Sequence, residues 1–329
     1  MLTIKEIAKM ADVSRSTVSR ALNNSGYVSE DARKRIDQVI KKTGYIPSEN
    51  AKSLRTKKTK VIGVILPTIQ TETSSKIVSG IDQELAKQGY QILLANTNLD
   101  KDKEIEYLQL LKVRQVDGII LVATNTEDSL IQKIKELELP VVSIGQEIEG
   151  ITSIVYDDYN ASKELTSLFV KKGHQKIAFV GVDETDRAVG YLRKQGYLAA
   201  LEEHNLPINE AYIHKAIFDI DSGYQAMKTI MEKTDNNTPT AVFAVTDRLA
   251  IGVMSFLKEK NLRVPEDIAV ASIGASEISQ YIAPPLTTVD YQNEKAGKEA
   301  AKELLRRMDT KNRSEKIVLG YRLILRDSV

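Results

Sequence analysis

The residues best suited to chemistry lie near the start of the chain, where Arg15, Ser16, Thr17, Ser19, Arg20 and Asn23 share one short stretch. Arginine offers a donor fork that matches guanine O6 and N7, and serine reads base edges less stringently. Threonine and asparagine side chains hold phosphates or brace the reading element. The apolar residues between them, Val18 and Leu22, are four apart, so on a helix they turn inward together and leave the cationic, hydroxyl-bearing residues outside. The preceding residues position such a helix. Thr3 and Glu6 have capping-box spacing and begin a first helix, with Ile4, Ile7 and Ala8 on its apolar face. Asp12-Val13-Ser14 ends it, and Ser14 caps the second. Two short amphipathic helices with a four-residue break, the second polar and basic outside, predict a helix-turn-helix recognition element. A third helix is predicted from an N-cap at Ser29 to Lys42, buried through Ala32, Ile36 and Ile40 and ended by Gly44.

Charge points the same way. Net charge over 329 residues is only +1, but residues 1–59 carry 13 Lys/Arg against 6 Asp/Glu, and the remainder carries 33 against 39. A basic head on an acidic body is the asymmetry of a nucleic-acid reader. Several classes are excluded as expectations. The chain has no cysteine and three histidines, so disulfides, thiolate sites and a structural zinc are not expected. His174, His204 and His214 are isolated, no nucleophile–base–orienter set appears, and no phosphate loop of P-loop or dinucleotide type is written, so neither enzyme activity nor a cofactor is expected. No signal-like leader or membrane-length apolar run is present, which gives the expectation of a cytoplasmic protein that does not engage a membrane. A sugar-binding transport component would need a leader and no basic head.

Beyond Tyr45-Ile46-Pro47 a polar, basic stretch runs to Thr59, with Ala51 and Leu54 as its main apolar residues. It is too short to be stable alone and reads as a linker that orders on binding. From Lys60 the period changes. Apolar runs at 61–67, 89–96, 118–123 and 140–145 alternate with amphipathic segments at 74–88, 101–113 and 127–137. The pattern restarts after 153–157, with helices at 160–172, 187–204, 222–233 and 248–260, strands at 176–182, 241–246 and 268–273, and a segment ending near Phe218. This is the grammar of parallel sheets covered by helices on both faces. The predicted fold is therefore an all-α helix-turn-helix head followed by an α/β clamp of two doubly wound parallel-sheet lobes, like periplasmic binding proteins, with ligand expected between the lobes beyond the strand carboxyl ends. The expected division is a head over 1–46, a hinge over 47–59, and an effector-binding and dimerisation domain over 60–329. Lobe one takes about 60–158 and 290–321, and lobe two about 159–289 and 322–329.

Taken together in this order, the motifs resemble the lactose-repressor/galactose-repressor (LacI/GalR) family of bacterial transcription factors over essentially the whole chain. The residues that carry the resemblance are the start from Leu2 to Asn23, Gly44-Tyr-Ile-Pro47, Val116-Asp-Gly-Ile-Ile120, Gly173-His174, and Arg193 three before Gly196. Further along they are Pro239 to Gly252 around Asp247-Arg-Leu-Ala-Ile-Gly252, Val264-Pro-Glu-Asp-Ile-Ala269, and Pro284-Pro-Leu-Thr-Thr-Val289. The resemblance implies that Arg15, Ser16 and Arg20 reach base edges. Thr17, Ser19 and Asn23 then hold phosphate or support the helix, with Thr3 at the edge of this set chiefly as a cap. It places Leu54, beside Ala51 and Arg55, where the family wedges a hinge leucine into the minor groove and kinks the duplex. A homodimer reading a pseudo-palindromic operator follows. The ending at Val329, without a leucine-heptad tail, favours a dimer over a tetramer.

For the effector, the resemblance implies Arg193 as the ligand-gripping arginine, with Arg187 joining it or binding phosphate, and Phe218 as the stacking platform. Thr246 and Asp247 follow a strand of lobe two, where Asp247 could simply cap a helix. Thr73, Ser74 and Gln146 face the same mouth from lobe one. The family usually writes Gly-aromatic-Asp-Asp before the Pro-Pro-Leu-Thr-Thr segment, whereas this chain reads Ser272-Ile-Gly-Ala275. Placing the missing carboxylate at Gly274 gives a roomier, less acidic site, suited to a bulkier or phosphorylated ligand. Tyr156-Asp-Asp-Tyr159 and the 181–190 segment look most like repressors of disaccharide operons, sucrose first and trehalose second. The expected function is a repressor of a carbohydrate operon, released by a sugar or sugar phosphate. Response to trehalose 6-phosphate and dependence on a protein corepressor are the alternatives.

Overall fold

The computed structural model describes residues 2–45, 58–310 and 313–329. The hinge residues Ala51, Leu54 and Arg55 lie outside these. The chain divides into two compact units, Met1–Thr59 and Lys60–Val329.

In the first unit, α1 (Ile4–Met10), α2 (Arg15–Asn23) and α3 (Glu30–Thr43) are each started by a hydroxyl. Thr3 forms the full capping box: its N–H donates to Glu6 Oε2 at 2.7 Å and its hydroxyl accepts from the Glu6 N–H at 3.4 Å. Ser14 accepts from Thr17 N–H at 3.1 Å, and Ser29 caps α3. Gly44, in the left-handed region at φ +64°, stops α3 as its spacing predicts. Ile7, Ala8, Ala11, Val18, Ala21, Ile36 and Tyr45 close a small core, so α2 is held by its apolar side and its polar side stays outward.

The second unit carries two six-stranded sheets. The first contains β1 (Val61–Leu66), β2 (Gln91–Asn96), β3 (Gly118–Val122), β4 (Val141–Ile144) and β5 (Thr152–Tyr156), in the order β2-β1-β3-β4-β5 with a late strand beyond β5. Its helices are α4 (Glu72–Ala86), α5 (Lys101–Val113) and α6 (Asp128–Leu137). The chain then crosses into the second sheet through α7 (Asp158–Lys171), β6 (Ile177–Gly181), α8 (Arg193–Glu203), β7 (Ile213–Lys215), α9 (Ile220–Thr234), β8 (Ala241–Ala244), α10 (Asp247–Glu259), β9 (Ala269–Ile273) and β10 (Thr287–Asp290). It returns to the first sheet for α11 (Asn293–Asp309) and β11 (Lys316–Leu319), and ends in the second with β12 (Arg322–Ile324). Every pairing is parallel except β10 with β12. Three passages therefore join the lobes, after β5, β10 and β11. Tyr156 and Tyr291 stack there at 4.6 Å between ring centres, one from each of the first two passages.

Strands such as Val61–Leu66 and Ala269–Ile273 are buried almost throughout because helices cover both faces. One predicted helix is not continuous. Residues 187–204 divide into a π-helical turn, Arg187–Leu192, and α8. The wide turn lets the chain pass close to an earlier loop: a Cβ on Gly190 would lie 2.0 Å from the Asp183 carbonyl oxygen. The apolar pattern around 218 also ends early, since β7 stops at Lys215.

Candidate functional site

The candidate DNA-reading face is the outer side of α2. Arg15, Ser16 and Arg20 are exposed, while Thr17 and Ser19 are half-buried. Arg15 and Arg20 make no ion pair or hydrogen bond among the described residues. By contrast, Arg35 on α3 pairs with Asp31 at 3.2 Å and Asp12 at 3.6 Å, and Arg33 donates to Asn24 Oδ1 at 3.0 Å. The head thus spends some cations internally and keeps those of α2 uncommitted. Ser14, Ser16 and Thr17 form a hydroxyl cluster at the start of α2, at 2.7 and 2.8 Å. Asn23 folds back onto the Ser19 carbonyl at 2.6 Å, and Thr3 is consumed by its capping box. Both are better placed to brace helices than to read bases. Tyr27, just after α2, is 86% exposed and drew no attention in the sequence; a lone aromatic in a Ser-Gly turn carries no periodic signal.

The second site is a cavity of about 380 Å³ between the lobes, lined by the carboxyl ends of strands from both sheets. Thr73, Ser74 and Gln146 of lobe one reach it, as do Arg193, Phe218, Thr246, Asp247 and Gly274 of lobe two. Arg187 does not. It is exposed and lies over the Tyr191 ring at 5.7 Å. Six residues fall short of two helical turns, so Arg187 and Arg193 cannot share a face.

Arg193 is buried in the cavity wall. Its Nε donates to Asp158 Oδ1 at 2.6 Å and its Nη1 to the Val245 carbonyl, and the guanidinium sits over the Tyr291 ring at 5.4 Å. Nη2 has no bond among the described residues. Burial works against the Arg193 charge, but Asp158, Tyr291 and Asp186 together outweigh it and raise the guanidinium above its ordinary value. Burial also pushes the Asp158 carboxyl upward, against the pull of Arg193 and of the Tyr291 hydroxyl donating at 2.9 Å. Such a pair fixes orientation more than it stabilises the fold. Gln146 is buried and donates to Asp186 Oδ1 at 2.7 Å across the lobes; burial raises the Asp186 carboxyl. Phe218 is half-buried, packing on the lobe-two core and also lining the cavity.

Two expectations around Asp247 need correction. The cap of α10 is Thr246, whose hydroxyl accepts from Leu249 N–H at 3.3 Å. Asp247 is instead a buried hub. Its Oδ1 accepts the Ser272 and Thr288 hydroxyls at 2.5 and 2.8 Å, and its Oδ2 accepts the Ser276 N–H and hydroxyl, both at 2.6 Å. Four donors leave it little capacity for a ligand, so it positions the 272–276 loop. Gly274 itself lines the cavity, and a Cβ added there would meet Asp247 Cγ at 3.0 Å. Aligned on its glycine, the Gly-aromatic-Asp-Asp pattern puts the absent carboxylate at Ser276, which lines the cavity and binds Asp247. Lys76, Asp158, Asp186, Arg248 and Tyr291 also line the cavity without having been singled out. Asp158 and Arg248 stood inside motifs already quoted. Lys76 had only its spacing from Glu72, an ordinary helical ion-pair signal.

The comparisons with known proteins agree with this geometry. Residues 3–48 match the family of bacterial regulatory proteins of the lacI type, and residues 166–329 match a periplasmic binding protein-like domain. The probable HTH-type transcriptional repressor ExuR of Bacillus subtilis (strain 168) is 36% identical over 337 residues, covering 100% of this chain and 98% of that protein. The chain belongs to the LacI family. This LacI-family chain is a DNA-binding transcriptional repressor, a class that is not enzymatic. The CelR–cellobiose complex shares 27% identity, with full coverage of both chains and a TM-score of 0.76. The lac repressor dimer on its operator, at 23% identity, 99% and 98% coverage and a TM-score of 0.91, shows the common fold. No helix among the described residues is long and apolar enough to cross a membrane.

Proposed function

We propose that this repressor binds a pseudo-palindromic operator as a homodimer through α2 and leaves it when a sugar or sugar phosphate fills the inter-lobe cavity. The observation that carries the reading is the pairing, in one chain, of an uncommitted cationic helix face with a cavity between two lobes whose largely apolar wall carries a few charged and hydroxyl side chains. A volume of about 380 Å³ falls in the small-molecule range of about 300–1,000 Å³ and is too small for a macromolecular partner. Polar groups fix orientation and Phe218 supplies an apolar face, a combination suited to a pyranose. The cellobiose carried by CelR supports a carbohydrate. Sucrose and trehalose 6-phosphate remain the first disaccharides to try, from the segments around 156–159 and 181–190.

Dimerisation has surface to use. Edge strand β2 exposes Leu93 and Leu94, and the 278–281 segment exposes Ile278 and Tyr281. An unpaired apolar edge is a ready interface. Ligand preferring one lobe geometry shifts the DNA-binding population by its differential affinity.

The test is operator binding by fluorescence anisotropy with and without sugar. Arg20→Ala should weaken operator binding by about ten- to hundredfold, the worth of about 1–3 kcal/mol per base contact, and leave sugar binding unchanged. Tighter operator binding at saturating sugar would overturn release. Unchanged DNA binding in Arg20→Ala would overturn the α2 assignment.

A further inference from the structure

Resting on the effector reading above, we infer that the cavity takes an anionic carbohydrate, a sugar carrying a carboxylate or a phosphate, and that Arg248 is the group that selects it.

The argument begins with which charges in the cavity wall are already committed. Asp158 is held by Arg193 and the Tyr291 hydroxyl. Glu72 pairs with Lys76 at 2.5 Å and also accepts the Glu277 N–H. Asp247 is filled by its four donors. Asp186 is engaged by Gln146 and by the Val189 N–H at 2.9 Å. Burial raises its carboxyl, against the pull of those two donors.

Arg248 is the exception. It lines the cavity, and among the described residues it has no carboxylate partner. Its Nη1 reaches across the mouth to the Gln70 carbonyl of lobe one at 3.4 Å, a long and weak contact. Its Nε is buried and donates to nothing. A guanidinium that has lost water at Nε without gaining a partner is costly to leave so, and a planar carboxylate or phosphate edge is what its fork matches bidentately. Arg248 stands in the first turn of α10, a 13-residue helix whose N-terminal end faces the cavity, so the helix dipole has the same sign as the side chain. With Arg248 on lobe two and Gln70 on lobe one, an anion seated there would join both lobes. That makes the same contact relevant to affinity and to closure.

The experiment is calorimetric titration of the full chain at fixed ionic strength. The probes are glucose, galactose, sucrose and trehalose, then glucuronate and galacturonate, then glucose 6-phosphate and trehalose 6-phosphate. One anionic member should bind at least about tenfold tighter than its neutral parent, the scale of a charge-assisted pair. Whether it is an acid or a phosphate identifies the source of the charge. Arg248→Gln should abolish that preference while keeping the thermal melting point, Arg248→Lys should restore part of it, and Arg187→Ala, exposed and off the cavity, should leave it intact. A neutral sugar bound as tightly as its anions, or a preference that survives Arg248→Gln, would overturn the inference and leave the effector cavity standing. Binding of no sugar at all would overturn both together.

Discussion

Single residues in this protein are decided by what their polar atoms find. Arg193 and Asp247 both line the cavity, yet one keeps a free nitrogen and the other is saturated by hydroxyls and one N–H. Glu104 on α5 shows the cost of a half-met group. It is fully buried, its Oε1 accepts the Thr124 N–H and hydroxyl at 3.0 and 2.6 Å, and its Oε2 has no partner. Burial raises its carboxyl above the ordinary value. The folded state therefore holds this proton to higher pH than the unfolded chain does. The contribution of Glu104 is most favourable below the unfolded value of 4.5 and is lost as pH rises through the raised folded value. Glu104→Gln, which does not titrate, should remove that pH-dependent loss, so its stability relative to the parent should be higher at pH 7 than at pH 4. Paired urea melts at the two pH values measure this; an equal difference at both would contradict it.

At the scale of elements, the close approach of α4 and α11 sets lobe one. A Cβ on Gly80 would lie 2.0 Å from the Glu294 carbonyl oxygen, and one on Gly297 would lie 2.1 Å from the Ile77 carbonyl oxygen. Each helix offers a glycine where the other presents backbone, and no side chain there can swing away. Gly297→Ala should force the pair apart and cost about 1–3 kcal/mol, the range for overpacking. Chemical denaturation of the full chain would show it as a lowered midpoint. The capped helices of the head were readable from Thr3, Ser14, Ser29 and Gly44, because capping is local chemistry written within four residues. The π-helical turn at 187–192 was not, because no residue pattern marks where the Gly190 backbone must pass against the Asp183 carbonyl of the preceding loop.

For the whole molecule, the feature that matters is a body made of two lobes joined by three passages and by direct bonds across the mouth. On one side Glu72 Oε2 accepts the Glu277 N–H at 2.5 Å and Lys76 donates to the Ala275 carbonyl at 3.3 Å. On the other, Gln146 donates to Asp186. These groups belong to the loops that line the cavity, so ligand and lobe geometry act on the same atoms. Removing both sides with Glu72→Ala and Gln146→Ala forfeits two hydrogen bonds of about 0.5–1.5 kcal/mol each. The double variant should need about tenfold more sugar for half-release of operator. An unchanged release curve would show that these bonds do not bias the lobes.

The sequence by itself determined what depends on spacing. Hydrophobic period separated a helical head from alternating strands and helices, cap residues placed the helix starts, and charge distribution marked the basic end. The same spacing put Arg15, Ser16 and Arg20 on one face, because side chains on a single short helix have few other places to go. The cavity was legible as a location, beyond the strand ends of two lobes, and Arg193, Phe218, Thr246 and Gln146 were found by motif. Roles within it were decided only by tertiary structure. Asp247 became a hub because Ser272, Ser276 and Thr288 arrive from a strand, a loop and another strand. Gly274 lies so close to Asp247 that a side chain there would press on its carboxylate. Arg187 left the site through helical geometry, and Arg248 entered it because its possible partners are all bound elsewhere. Which polar atom is left unmet depends on every neighbour brought by the fold, and that sum is not written in any local run of residues.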